Sequence, residues 1–225
     1  MTTLASKPFA WSHSSLQAFE TCPWRYYLTK VAKTVSERPT AATAEGQAVH
    51  KAMQLHVEGK QWLPDKYQQW TAIAERVKAM PGDIKCEQKI ALTEAMNETT
   101  YFGKDVWLRV VFDVCIRGDK EAILLDWKTG KRKPDTDQLE LFAAVGFEVY
   151  PKVERIRTGY VWLHAGKTDQ ETYQRDNKPA LWKGFMIRVE RMKEAHETNN
   201  FPKRPSGLCR EWCPVGRRNC EHCGA

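Results

Sequence analysis

Two carboxylates and a lysine sit where charge is expensive. Asp113 lies in Val110-Val111-Phe112-Asp113-Val114, and Asp126 and Lys128 lie in Ile123-Leu124-Leu125-Asp126-Trp127-Lys128. Charged groups inside such apolar runs are costly unless they are paired or bound to a metal. On a strand, residues i and i+2 face the same way, so Asp126 and Lys128 project together, and Asp113 approaches them if the two strands pair. Two carboxylates at one point suit a hard divalent cation such as Mg²⁺. A lysine beside that cation can orient a water or steady negative charge developing on a phosphate. The plainer reading of Asp126 and Lys128 is an ion pair at a sheet edge.

Other residues can join them. Gly46-x-x-x-His50 falls on an expected helix, where glycine permits close packing and histidine offers a nitrogen ligand. Glu87 lies near the start of an expected strand, and Gln138 begins the helix that follows the lysine. The seven cysteines are unevenly placed. Cys22, Cys86 and Cys115 are scattered, whereas Cys209, Cys213, Cys220 and Cys223 crowd one short stretch. Clustered cysteines in an intracellular chain read as metal ligands before disulfides. These four could close a tetrahedral zinc site, with His222 as an outside candidate. Cys86 and Cys115 read as small core residues.

The elements that must position these groups follow from periodicity. Ser14-x-x-Gln17 reads as a capping box opening a short helix, and Pro23 as the first turn of a second. Thr43 to Glu58 and Lys66 to Met80 have helical spacing, and Pro81-Gly82-Asp83 stops the latter. Strands are expected over Lys85 to Leu92, Asp105 to Ile116, Glu121 to Trp127 and Arg155 to His164, with Arg117-Gly118-Asp119 as a hairpin turn. A basic loop from Thr129 to Pro134 leads into a helix from Asp135 to Val149, and a last helix spans Lys178 to Thr198. Residues 1–225 are thus expected to form a single domain: a helical part over 1–80, a core over 84–198 and a Cys-rich tail over 201–225.

Composition bounds the function. The chain has 225 residues, 42% hydrophobic and 28% charged, with 35 basic and 28 acidic side chains for a net charge of +7. This is globular composition, which argues against a disordered, collagen-like or coiled-coil chain. No run approaches the roughly 20 apolar residues of a membrane span, and Met1 to Ala10 lacks signal-peptide architecture, so a cytoplasmic protein is expected. The moderate positive charge suits a phosphate-rich partner. Lys131, Arg132 and Lys133 follow the lysine strand and could grip a phosphate backbone, and Lys203, Arg204, Arg210, Arg217 and Arg218 surround the cysteines. Trp127, Trp162 and Trp182 are candidates to stack on bases, with burial the better expectation for Trp162. The G-x-x-x-x-G-K-[ST] phosphate loop is absent, so the chain is not an ATP-driven motor.

The order of these motifs resembles one family. Cys22-Pro23-x-Arg25-Tyr26, Gly46-x-x-x-His50, Glu87, Asp113, Asp126-x-Lys128, Gln138 and the cysteine cluster follow the pattern of the RecB-like branch of the PD-(D/E)XK nucleases, which includes the nuclease domain of AddB, CRISPR-associated iron–sulfur exonucleases and stand-alone phage members. The resemblance runs from Ser12 to Cys223. It implies an α/β restriction-endonuclease-like core, with a mixed central sheet flanked by helices. His50, Asp113 and Asp126 would hold Mg²⁺ or Mn²⁺, with the Trp127 carbonyl as a further ligand. Lys128 would be the catalytic lysine, Glu87 an upstream acidic residue and Gln138 a substrate contact, with Arg25, Lys131 and Arg132 as further DNA contacts. Phe142 stands where the family usually has Tyr, and Val110-Val111-Phe112 lacks the glycine often found there. Cys22 with Cys209, Cys213 and Cys220 would hold a [4Fe–4S] cluster joining the N-terminal helix to the tail. Cys223 is an alternative fourth ligand, and zinc remains the alternative metal. The implied activity is a metal-dependent deoxyribonuclease, an exonuclease acting on free or single-stranded ends. The implied partners are a recombinase, a helicase or the CRISPR adaptation machinery. A non-catalytic DNA-binding or recruiting module on the same fold, and an RNA-processing metalloprotein, are the alternatives.

Overall fold

The computed structural model describes residues 9–37, 40–133 and 135–224. The expected loop at Arg38-Pro39 and the Pro134 end of the basic loop lie outside these. Met1–Thr40 with Phe185–Ala225 form one compact unit, and Ala41–Gly184 another. No helix among the described residues is long and apolar enough to cross a membrane.

The Ala41–Gly184 unit is built on a mixed sheet. Among the described residues its strands are β1 (Asp83–Leu92), β2 (Glu98–Thr99), β3 (Leu108–Arg117), β4 (Glu121–Lys128), β5 (Arg155–Trp162) and β6 (Lys167–Gln174), in the order β2-β1-β3-β4-β5-β6. All neighbours are antiparallel except β4 and β5. A parallel pair needs a crossover, and α5 (Asp137–Val149) supplies it. The Gly118 N–H donates to the Glu121 carbonyl at 2.8 Å and closes the expected hairpin between β3 and β4.

Helices cover the sheet. α3 (Ala41–Val57) and α4 (Thr71–Lys78) bury Val49, Met53, Val57, Ala74 and Val77 in one cluster with Val114, Ile116, Leu125, Trp127 and Val161 of the strands. α5 is buried along most of its length, and Phe142 meets Phe112 of β3 edge-on, with ring centroids 5.0 Å apart. Gly146 allows α5 to approach closely: a Cβ there would fall 2.7 Å from Ile156 and 3.0 Å from Leu124.

The other unit holds α1 (His13–Thr21), α2 (Pro23–Tyr26) running into a π-helical turn at Tyr27–Val31, and residues from Phe185 onward of α6 (Lys178–Glu197). Glu20 takes both carboxylate oxygens to Arg188, at 2.6 and 2.7 Å, and Tyr26 Oη lies 2.9 Å from His196 Nε2.

Several expectations shift. The capping box is Ser12 with Ser15, two residues earlier than Ser14 with Gln17, because Ser12 takes the extended backbone that an N-cap requires. The helix expected over Lys66 to Met80 divides into a 3₁₀ segment, Asp65–Trp70, and α4. β2 and β6 were absent from the sequence pattern. β6 reads Lys-Thr-Asp-Gln-Glu-Thr-Tyr-Gln and is mostly exposed, as a polar edge strand should be.

Candidate active site

The acidic residues gather where β3 and β4 part. These strands pair from Val114–Leu125 to Arg117–Ala122 and no further. Just beyond that fork, Asp113 Oδ2 accepts the Trp127 backbone N–H at 2.8 Å. A strand amide without a ladder partner is thereby satisfied by the carboxylate itself.

A break in strand alternation brings Glu87 to the same place. Phe112 packs on α5, yet Val114, two residues on, joins the α3–α4 cluster, and Cys115 Sγ lies 3.3 Å from Tyr150 Oη at the end of α5. On β1, Cys86 packs against the α3–α4 cluster, while Gln88 accepts from the Tyr150 hydroxyl at 2.8 Å. Each strand therefore changes face at one residue, Asp113 on β3 and Glu87 on β1. The register pairs Cys86 with Val114 and Gln88 with Phe112 and skips the two acids between. Glu87 has φ of 49°, the left-handed region, rare for a residue with a side chain. Such an irregularity inside a strand re-aims a side chain and is common beside active sites.

α3 completes the group. Gly46 sits against Thr129, where a Cβ would be 3.4 Å from its Oγ1, and one helical turn later His50 Nδ1 lies 3.1 Å from Asp113 Oδ2. His50, Glu87 and Asp113 each offer a ligand atom, all within 4.8 Å of one another. They line an open cleft of about 920 Å³ together with Gln47, Gln54, Lys89, Val111 and Thr129.

Asp126 and Lys128 do project together, with Lys128 Nζ 2.8 Å from Asp126 Oδ2. Gln138, at the start of α5, ties both down. Its Nε2 donates to Asp126 Oδ1 at 2.7 Å and its Oε1 accepts from Lys128 Nζ at 2.9 Å. The ammonium also lies 4.7 Å from the Tyr160 ring centroid. Gln138, expected as a substrate contact, is hydrogen-bonded to both the acid and the lysine. Asp126 is not part of the His50–Glu87–Asp113 trio.

The electrostatics suit a cation among these groups. Burial, and then the charge of Asp113, push the Asp126 carboxyl up to about 6 against the pull of Lys128. Burial and Asp113 likewise raise Glu87. Burial alone would lower the His50 imidazole, but the hydrogen bond and charge of Asp113, with the charges of Asp126 and Glu87, outweigh it and raise His50. Asp126 Oδ2 is buried, and its approach to Lys128 is not aligned as a hydrogen bond. Hard oxygen donors with one imidazole, crowded so that Glu87 and Asp126 resist ionisation, suit a divalent cation.

The cysteines form a second constellation. Cys22, at the junction of α1 and α2, lines one cavity with Cys209, Cys213, Cys220 and Cys223. Cys220 and Cys223 are buried, in a cluster with Leu28 and Val215 against which Cys213 also packs. Burial and the neighbouring Cys213 and Cys220 sulfurs push the Cys223 thiol up to about 12. Ser206 N–H points at Cys209 Sγ, 3.4 Å away. Five sulfur donors lining one cavity fit a thiophilic metal group, which binds them as thiolates.

Comparison with known proteins names the fold. A family model described as the PD-(D/E)XK nuclease superfamily matches residues 10–221. The chain belongs to that superfamily. Solved structures resemble this PD-(D/E)XK chain, two of them as follows. A protein of Eubacterium rectale provisionally named an exonuclease superposes with a TM-score of 0.56 at 13% identity, covering 93% of this chain and 88% of its own. SSO0001 superposes with a TM-score of 0.47 at 11% identity, covering 95% and 87%. No curated protein matches the sequence.

Against this PD-(D/E)XK frame, the expected nucleic-acid contacts separate. Lys131 is exposed, but Arg132 is held by both carboxylate oxygens of Asp169, which also accepts from Trp162 Nε1 at 2.8 Å. Arg25 belongs to the cysteine-containing unit and pairs with Glu37 at 2.9 Å. Lys203 is paired with Glu221, Arg204 donates to the Glu20 carbonyl, and Arg217 donates to the carbonyls of Cys223 and Gly224. Trp127, Trp162 and Trp182 are all buried and offer no face to a base. Lys89 was missed, although its place two residues after Glu87 was a sufficient signal. Asp169, the partner of Arg132, lies on the strand that the pattern did not reveal.

Proposed function

We propose that this nuclease-superfamily chain is a metal-dependent deoxyribonuclease that hydrolyses phosphodiester bonds in the cleft at the β3–β4 fork. The observation that carries this is the convergence of His50, Glu87 and Asp113 beside the Asp126–Lys128–Gln138 clamp. His50, Glu87 and Asp113, with Asp126, would hold Mg²⁺ or Mn²⁺. When bound, such a cation lowers the pKa of a water and offsets phosphate charge. Lys128 then serves as a fixed ammonium: Gln138 and Asp126 restrict its position, so its hydrogen bond to a phosphate oxygen strengthens as charge develops there. Gln138 is a positioning residue. Exonuclease action on DNA ends, in recombination, repair or CRISPR and phage DNA processing in the cytoplasm, follows the sequence resemblance, and the Eubacterium rectale neighbour carries a name in keeping with it.

The five cysteines around one cavity support a [4Fe–4S] cluster over zinc. Four thiolates suffice for either; Cys22 lines the same cavity as the four clustered cysteines, in keeping with the N-terminal ligand that the sequence resemblance implies for the cluster.

Cleavage of end-labelled single- and double-stranded DNA, with Mg²⁺ or Mn²⁺, tests the nuclease reading. Wild type should cut and Lys128→Ala should not. An inactive wild type with an intact cysteine site would leave a DNA-binding module instead. For the cluster, anaerobically purified protein should contain iron and sulfide, and Cys22→Ala should lower both; zinc alone, unchanged in Cys22→Ala, would overturn it.

A further inference from the structure

The cleft continues past the acidic residues along the sheet. On the face that carries Asp113, β3 presents Val111 and then Arg109, and β1 presents Lys89, which pairs in register with Val111 and lines the cleft. Lys89 Nζ lies 5.7 Å from the Tyr101 ring centroid, and Arg109 Cζ lies 5.9 Å from the same ring. Arg109 is fixed there, because its Nε donates to the Tyr101 carbonyl at 2.8 Å. Beyond Tyr101 stands Phe102, edge-on to it with centroids 5.1 Å apart and 82% exposed.

Phe102 is held out rather than merely left out. It sits in a tight turn between β2 and β3, closed by Gly103 N–H to the Thr100 carbonyl at 2.7 Å and by Thr99 Oγ1 to Asp105 at 2.9 Å. A Cβ on Gly103 would fall 2.8 Å from both Asp105 and Thr100 side-chain oxygens, so this turn admits only glycine there. What sets Phe102 apart from other exposed rings is its place, next to two cations and in line with an acidic cleft. That arrangement matches single-stranded nucleic acid, which is gripped by cations along the backbone and by aromatic faces under the bases.

We propose that the turn between β2 and β3 is a binding subsite for an unpaired stretch of DNA leading to the acidic cleft, with a base stacked on Phe102 and the backbone tracked by Lys89 and Arg109. The proposal rests on the nuclease reading and names its substrate: a strand with a single-stranded end or segment. In a duplex the base faces are already stacked, so Phe102 gains nothing from paired DNA. Arg109 is four residues from Asp113 along β3, about 13 Å at strand rise, so the stacked base lies a few nucleotides from the scissile bond.

Fluorescence anisotropy with a labelled oligothymidylate and with a blunt hairpin, without added divalent metal, tests this alongside the cleavage assay. Phe102→Ala should bind the single strand about tenfold more weakly, the scale of one lost base–aromatic stack. Its affinity for the blunt hairpin should be unchanged, and Phe102→Trp should restore single-strand binding. An abasic residue walked along the oligonucleotide should weaken wild type at one position and leave Phe102→Ala unaffected there. If wild type cuts DNA while Phe102→Ala binds the single strand as tightly as wild type, the subsite is refuted and the nuclease reading stands. The subsite is equally refuted if Phe102→Ala alters only the sedimentation coefficient, which would make the turn a self-association surface. A wild type that neither binds nor cuts either DNA would overturn both.

Discussion

Glu87 bears a backbone conformation that a side chain resists, and does so where burial and then the charge of Asp113 raise the Glu87 pKa. The conformation brings Glu87 against Asp113, so function and stability oppose each other at this residue. Two variants separate them. Glu87→Ala and Glu87→Gly both remove the carboxylate and should both impair cleavage. The glycine variant should be about 1 kcal/mol more stable than the alanine variant, since only it is at ease with positive φ. Chemical denaturation of the pair checks this, and equal stabilities would refute the strain. Asp126 adds a pH signature. Its folded pKa of about 6 lies above the ordinary carboxyl value, so the folded state holds its proton more tightly than the unfolded state. The metal-free protein should therefore be best served below the unfolded pKa of about 4. It should lose stability as pH rises through that value to about 6, relative to Asp126→Asn, which has nothing to ionise. Melting curves of the two across that window decide it, and parallel curves would contradict the burial of a strained acid. Asp113, Asp126 and Lys128 could be read from the chain because charge inside apolar runs stands out against its neighbours. The face change at Glu87 could not, because a single residue with positive φ leaves no mark in residue type when it is not glycine.

Elements show the same contrast. β3, β4 and β5 carry apolar side chains on both faces and were legible for that reason; the two edge strands were not, since β2 is two residues long and β6 has no apolar periodicity. Yet β6 matters to the loop after Lys128. Asp169 takes Arg132 and the Trp162 indole together, which anchors a loop that otherwise holds exposed basic residues. Asp169→Ala should leave the sheet intact and speed tryptic cleavage at Lys131 or Arg132. Mass spectrometry of a short digest would show it, and an unchanged rate would mean that the ion pair does not restrain the loop. The three tryptophans considered for base stacking were hard to place for a related reason. Trp is legible as a large ring, but whether that ring faces core or solvent depends on which elements flank it, and Trp127, Trp162 and Trp182 all face inward.

At the scale of the molecule, the sheet unit is one continuous stretch, whereas the cysteine unit is assembled from two stretches far apart in the chain. Buried thiols and a small apolar cluster surround the cysteine-lined cavity of that unit. Cys213→Ser should consequently lower amide protection around Pro23–Val31 and Gly207–Gly224 and leave β3, β4 and β5 protected, as read by hydrogen exchange. Uniform loss across both units would show that they unfold as one. The discontinuity also has a consequence for synthesis. Domains fold as they emerge, at about 5–20 residues per second. Residues Ala41–Gly184 can thus complete their sheet and bring the acids to the fork before Cys209 to Cys223 have all left the ribosome, and Cys22 waits without its partners until they appear. Phosphodiester chemistry, on this reading, becomes structurally possible in the nascent chain before the thiol cavity can close, and any metal destined for that cavity is the last part to arrive.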